Sequence, residues 1–296
     1  MPLLGKVAKR LYRLYKLARF AKAKRKAREQ AAGLYLQSNV TLKSLANAII
    51  DSLGSSITPQ EKLWVDRIEL LRRELESSQT EILIVDYGAG STGLNPTDEE
   101  MYQGRVVTRT IGDMCRDSSQ PYFWSLLLFK LVREFRPSVC LELGTALGIS
   151  ASYQAAAAKL NQLGKIVTLE GSESLASLAR QHFRRLGLDN ISVIVGRFQD
   201  TLDKVLNEYV PIDYAFIDGH HDEKATLAYF QQVYPFLSER ALLVFDDISW
   251  SSGMKRAWSA IETDKRVKIS LDLLSHGICI IDSSIDTKQN FRIPIA

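Results

Sequence analysis

Two carboxylate segments and a histidine pair set the chemistry open to this sequence. Asp218-Gly219-His220-His221 and Asp246-Asp247 each stand at the end of a short apolar run, Tyr214–Asp218 and Ala241–Asp246. If those runs are neighbouring strands, Asp218, Asp246 and Asp247 converge at one rim with His220 and His221. Like charges that close repel and raise pKa values unless a cation sits among them. Oxygen ligands of this kind suit Mg2+, Ca2+ or Mn2+. The plainer alternative is that Asp246 or Asp247 caps a helix and one histidine is a surface residue. A third segment, Glu142-Leu143-Gly144-Thr145-Ala146-Leu147-Gly148-Ile149-Ser150, supplies a glycine turn whose backbone can approach a ligand closely. Its spacing is neither the dinucleotide fingerprint nor a P-loop. Glu170 lies 26 residues past Gly144, near where doubly wound nucleoside-binding folds place an acid on the ribose hydroxyls. In Gly196-Arg197-Phe198-Gln199-Asp200, Phe198 can stack on an aromatic base and Gln199 can bond its edge. The same segment also reads as a helix N-terminus with Asp200 favourable to the dipole.

These residues need strands to present them. Apolar, β-branched runs at Val139–Leu143, Ile166–Glu170, Ile191–Val195, Tyr214–Asp218 and Ala241–Asp246 alternate with helical patterns over 149–162, 173–186, 200–208 and 222–237. Such alternation predicts βαβ units and a parallel sheet with helices on both faces. In open sheets of this type ligands bind beyond the carboxyl ends of the strands, near the point where strand order reverses. Val267–Leu271 and Ile278–Ile281 predict a closing antiparallel pair, for seven strands in all. Upstream, residues 34–78 read as helical, with Thr58-Pro59-Gln60-Glu61 as a helix start. Ile82–Val85 reads as a strand, the polar stretch to about Glu100 as a loop, and residues 122–135 as another apolar helix.

Apolar residues make up 46% and charged residues 24% of the 296, which excludes wholesale disorder and fibrous classes. Cys115, Cys140 and Cys279 are far apart, so neither a zinc ribbon nor a disulfide framework is expected. No apolar run approaches the length of a membrane span and no secretory signal is visible, which makes the cytoplasm the default. The net charge of +4 divides unevenly. Residues 1–30 hold eleven Lys/Arg and one acid, and the remainder holds 27 basic and 33 acidic side chains. Leu3, Leu4, Val7, Leu11, Leu14, Tyr15 and Ala18 form a helical stripe beside these bases. A basic amphipathic helix of this kind can lie peripherally on an anionic membrane surface through residues 1–28, or make a homo-oligomer contact. Nucleic acid is not the expected partner, because the body is acidic and carries no RNA-binding module.

Five segments in order, LELGTALGIS (141–150), Glu170, GRFQD (196–200), IDGHH (217–221) and FDDI (245–248), resemble those of class I S-adenosylmethionine (SAM)-dependent methyltransferases. Within that class, residues from about 120 to 282 look like the metal-dependent small-molecule O-methyltransferases: the catechol and caffeoyl-CoA types, and the cephalosporin-hydroxylase-like and macrolide-sugar enzymes with a D-G-x-H segment. The resemblance implies a Rossmann-like α/β fold, doubly wound, with an N-terminal helical extension. It implies SAM at Glu142, Gly144, Thr145, Gly148, Ser150, Glu170, Gly171, Phe198, Gln199 and Asp218. It implies a divalent metal, of the Mg2+ kind, at Asp218, Asp246 and Asp247. His221 would be the general base, with His220 as its rival, and the substrate a small hydroxylated metabolite such as a natural-product intermediate or a sugar. Catechol-type enzymes carry a Lys in this stretch, and here none precedes Lys224, which favours the D-G-x-H subgroup. The corresponding domain plan is a basic tail over 1–30, a helical cap and lid region over 31–119, and a methyltransferase domain over 120–296. Tyr87, Arg105, Arg109, Tyr122 and Trp124 are candidate pocket residues, and 86–118 a candidate lid. An RNA methyltransferase served by the basic tail, and a non-catalytic membrane-associated subunit of the same fold, are the competing functions.

Overall fold

The computed structural model describes residues 23–37, 39–88 and 97–295. The apolar stripe over residues 3–18 and Gly90-Ser91 lie outside the described residues.

Residues 23–35 are helical (α1), followed by α2 (Val40–Gly54) and α3 (Pro59–Glu76). The start of α3 is as the sequence requires. Thr58 accepts from the Glu61 N–H and the Glu61 carboxylate accepts from the Thr58 N–H, a reciprocal cap. Next come β1 (Glu81–Asp86), α4 (Asp98–Gln103), β2 (Arg105–Thr110) and α5 (Ile111–Ser118). β1 and β2 pair antiparallel from Glu81 opposite Thr110 to Asp86 opposite Arg105, as a sheet of their own. The loop expected to about Glu100 is corrected at its described end, where α4 begins at Asp98, and β2 and α5 follow beyond it. β2 reads Arg-Val-Val-Thr-Arg-Thr, too polar to stand out as an apolar run, and is stabilised by its pairing with β1 rather than by burial.

The rest of the chain alternates: α6 (Tyr122–Phe135), β3 (Val139–Leu143), α7 (Ile149–Leu160), β4 (Lys165–Glu170), α8 (Glu173–Leu186), β5 (Ile191–Val195), α9 (Phe198–Tyr209), β6 (Ile212–Ile217), α10 (Glu223–Val233), β7 (Leu237–Phe245), α11 (Ser252–Thr263), β8 (Ile269–Asp272), β9 (Gly277–Asp282) and β10 (Gln289–Arg292). Among the described residues the main sheet has eight strands in the order β10-β8-β9-β7-β6-β3-β4-β5. β3 to β7 are parallel, and β9 runs antiparallel to both β7 and β8, the expected closing pair. The expected count of seven is one short. β10 adds at the edge, parallel to β8. Its sequence, Gln-Asn-Phe-Arg, offers one apolar side chain, as suits a partly exposed edge.

Side chains alternate across the sheet as a pleat demands. Cys140, Ile166, Tyr214, Phe216, Leu242 and Val244 face one core with α1, α2, α3, α6 and α7. Leu141, Leu143, Val167, Leu169, Ala215, Ile217, Leu243 and Phe245 face the other with α9, α10 and α11. Burial on both faces explains why β3, β4, β6 and the second half of β7 are continuous apolar runs. Strand order reverses between β3 and β6, so the ligand crevice of this architecture opens there.

Candidate active site

Backbone hydrogen bonds continue one residue past the strand ends and fix the rim. The Gly144 N–H donates to Leu169 O, Asp218 N–H to Leu143 O and Asp246 N–H to Ile217 O, all at 3.0 Å. Asp218 and Asp246 therefore follow directly on β6 and β7, side by side. Gly144 has φ of +105°, and a Cβ there would collide with the Asp218 carbonyl oxygen, so only glycine lets this turn close against the end of β6. His220, His221 and Asp247 also adopt left-handed backbone, which is costly for residues with a Cβ and clusters at functional sites.

Asp218, His221 and Asp246 each offer one ligand atom, and these atoms lie within 4.8 Å of one another. His221 Nε2 is 3.6 Å from Asp218 Oδ1. Asp247 stands beside this trio, its Oδ2 4.0 Å from His221 Nδ1. Burial first, then the charge of Asp246, pushes Asp218 well above the usual carboxylate range. Burial also opposes the charge of Asp246, but His276 and His221 outweigh it and hold that group below the usual range. Asp247 is pushed up by burial and by Asp246. Two carboxylates crowded in a buried place, with an imidazole at their side, form an O,O,N donor set that fits a divalent cation.

His220 has a different place. It is buried, its Nδ1 is 2.7 Å from the Tyr229 hydroxyl, and its ring meets Phe198 edge-on at 5.5 Å. Burial lowers its pKa to about 4, so it is neutral near pH 7. The structure thus brings His221, not His220, into the acid group. Two further residues, missed in the sequence, join it. Gln120 Nε2 donates to Asp218 Oδ2 at 3.0 Å and to Asp246 Oδ2 at 2.6 Å. His276 Nε2 lies 3.0 Å from Asp246 Oδ1, and its ring stacks on Trp124 at 4.1 Å. The position of Ser275-His276-Gly277 between the two late apolar runs was a usable signal, since β8 ends at the same rim as β7. Gln120 carried no comparable signal.

The glycine turn runs from Gly144 to Gly148, which precedes α7. Glu142 is fully buried beneath it and accepts from Gln154 Nε2 at 2.8 Å and from the Thr168 hydroxyl at 2.7 Å. Thr145 and Thr168 join hydroxyls at 2.6 Å. Burial raises Glu142 to about 7, against the hydrogen bonds of Thr168, Ser150 and Gln154. Glu170 accepts the N–H groups of Ala146 and Ser172, each at 2.8 Å, and burial raises it too to about 7. Gly171 lies against the Tyr87 ring. Phe198 is buried at the start of α9, its ring set against His220 and Tyr229, while Gln199 beside it is exposed. A glycine turn, a fixed carboxylate after the next strand and an uncovered Gln form a cradle of the kind a nucleoside cofactor needs.

Of the other candidate pocket residues, Arg105 pairs with Asp86 at 2.9 Å, Arg109 pairs with Asp117, and Tyr122 is partly exposed at the start of α6. A cavity of about 310 Å3 lies at the opposite, amino ends of the strands, lined among others by Arg136, Asp213, Arg240 and Asp282, and none of the candidate site residues borders it.

Residues 141–248, a little over a third of the chain, match the family model described as "Methyltransferase domain". The chain is 32% identical over 95 residues to the catechol O-methyltransferase of Mus musculus, an alignment covering 31% of this chain and 35% of that protein. It thus spans about a third of the length of this curated relative. Among solved structures it is similar to an O-methyltransferase from Bacillus cereus in complex with SAH (26% identity, 56% of this chain and 84% of that one, TM-score 0.49). It is also similar to the O-methyltransferase TomG from Streptomyces achromogenes (20% identity, 56% and 83%, TM-score 0.48). Residues 141–248 are thus similar to a methyltransferase domain, and the strand order is that of a Rossmann-like, doubly wound α/β fold.

Proposed function

We propose that this chain, whose rim residues all lie within or beside that domain, is a SAM-dependent O-methyltransferase acting on a hydroxyl of a small molecule. A divalent cation, of the Mg2+ kind, is held at Asp218, Asp246 and Asp247, and His221 is the general base. The observation that carries the reading is the pair of half-buried Asp218 and buried Asp246 with His221 beside it, at the mouth of the glycine turn. The relative named for catechol methylation directs the choice of acceptor toward two adjacent hydroxyls, or a hydroxyl beside a carbonyl.

The cofactor supplies a sulfonium methyl group and departs as a neutral thioether, and the cation supplies a Lewis acid that lowers the pKa of the acceptor hydroxyl. The chain's own residues do the rest. Glu170, pinned by two backbone N–H groups, offers its remaining lone pairs to the ribose hydroxyls. Asp218 and Asp246 would hold the cation that orients the acceptor oxygen, and positioning of this kind supplies much of a methyl transfer's rate. His221 takes the hydroxyl proton on Nε2, the nitrogen that faces the acid pair. Trp250, 37% exposed and 6.1 Å from His221, gives the pocket an aromatic wall. The test is transfer of a labelled methyl group from SAM to a panel of catechols, vicinal diols and α-hydroxy carbonyls. Labelling of acceptors with adjacent oxygens supports the reading, whereas labelling of amines alone sinks it.

The amino-terminal region serves attachment in the same reading. α1 buries Ala27, Ala31 and Leu34 on the body and turns Arg25, Lys26 and Arg28 outward, as a contact with an anionic membrane surface requires. Among the described residues no helix is long and apolar enough to cross a membrane. Self-association through the amino-terminal helices is the companion proposal, supported by exposed Leu36, Val40 and Leu63.

A further inference from the structure

We infer that Gln120, on the segment leading into α6 and outside the methyltransferase motifs, completes the cation site as a ligand through its amide oxygen. The inference rests on the metal reading above and names a residue that no motif supplies.

Gln120 Nε2 spans Asp218 Oδ2 and Asp246 Oδ2, at 3.0 and 2.6 Å, so a partially positive donor occupies the point between a half-buried and a buried carboxylate. That is where a cation gains most from both. The backbone that carries the amide is held from behind. The Ser125 hydroxyl donates to the Gln120 backbone carbonyl oxygen at 2.9 Å and accepts from buried Arg72 Nη2 at 3.1 Å. Arg72 is itself tied to Glu69 at 2.8 Å. Gln120 is 7% exposed, so its head group has little room to leave. His276, 1% exposed, flanks the same pair with Nε2 3.0 Å from Asp246 Oδ1, so Gln120 and His276 each take one oxygen of Asp246.

An ammonia-like donor and a cation cannot share the space between the two aspartates. The terminal torsion of Gln is broad, and a half-turn exchanges Nε2 for Oε1 without moving the side chain. After that turn the oxygen would face the cation and join Asp218, Asp246 and Asp247 as a neutral donor. Gln120 is thus a donor to the acid pair in the ion-free chain and a ligand in the loaded one. It also links the amino-terminal helical layer, through Arg72 on α3, to the reaction centre.

The test is Mn2+ titration of the full-length protein without cofactor or acceptor, followed by the electron paramagnetic resonance signal of free Mn2+. The inference predicts that Gln120→Ala weakens Mn2+ binding by about tenfold or more, the order seen when groups supporting a metal are removed. Gln120→Glu, which sets a charged oxygen in the same place, binds Mn2+ at least as tightly as the wild type. Unchanged or tighter binding by Gln120→Ala overturns the inference and leaves the metal reading standing, because the amide then only excludes the ion. Absence of Mn2+ binding by the wild type overturns both. Thermal melts report whether each variant folds. If Gln120→Ala does not, Gln120→Glu decides alone, with tighter binding in support and weaker binding against.

Discussion

The Tyr87 ring lies over Gly171: a Cβ built on that glycine would stand 2.5 Å from Tyr87 Cδ2. Gly171 directly follows Glu170, so an aromatic face from the end of β1 borders the place proposed for the ribose. Nearby, Arg197 stacks on the Tyr102 ring at 4.3 Å and donates to its carbonyl oxygen at 3.2 Å. The segment around the β1–β2 sheet therefore reaches the rim at two separate points, next to β4 and next to β5.

Tyr87→Ala removes that aromatic wall. Covering the ribose with an aromatic face removes apolar surface from water, worth about 1–2 kcal/mol. The dissociation constant of S-adenosylhomocysteine, measured by calorimetry, is expected to rise about tenfold. Tighter binding by the variant would mean that the ring obstructs the cradle instead of lining it.

The two adjacent histidines separate cleanly by exchange. A general base contributes about 10²–10⁴-fold to rate. His221→Gln should lower kcat at least a hundredfold with cofactor affinity unchanged. His220→Gln should lower kcat less than tenfold and show its effect in the melting temperature, since it disturbs the packed Phe198–His220–Tyr229 group. The opposite ranking in kcat would assign the base to His220.

Glu142 and Glu170 give stability a pH slope. Burial raises both from 4.5 to about 7, so between those values the folded chain keeps protons that the unfolded chain releases. The stabilisation is complete below about pH 4.5 and is lost as pH rises through 7. The shift corresponds to about 3 kcal/mol for each group. In the presence of a chelator, the free energy of urea unfolding should fall from pH 5 to pH 8, and Glu142→Gln should flatten that fall. A free energy that rises over the same interval would contradict the burial argument.

Much of this site was legible before the fold was known, for definite reasons. β3, β4, β6 and the second half of β7 are buried on both faces, so their sequences are continuous apolar runs, and the residue at the end of each run falls at the carboxyl rim by geometry alone. Asp218, Asp246 and Glu170 could be placed that way. β2 and β10 could not, because partly exposed edge strands need no apolar run and take their order from pairing. Gln120 and Tyr87 were harder still. Gln120 acts from outside the alternating pattern, and only tertiary contact, 98 residues from Asp218 and 126 from Asp246, gives it meaning. Tyr87 and Gly171 were both singled out in the sequence, but nothing there joined them as neighbours.

The account turns on whether a divalent cation at the paired aspartates orients the acceptor hydroxyl. Its most direct measurement is methyl transfer to an acceptor with adjacent oxygens, before and after treatment with excess EDTA, with cofactor binding followed in parallel. The account predicts that chelation abolishes transfer, that Mg2+ or Mn2+ restores it, and that cofactor affinity is largely unaffected. Full transfer in excess EDTA would contradict it.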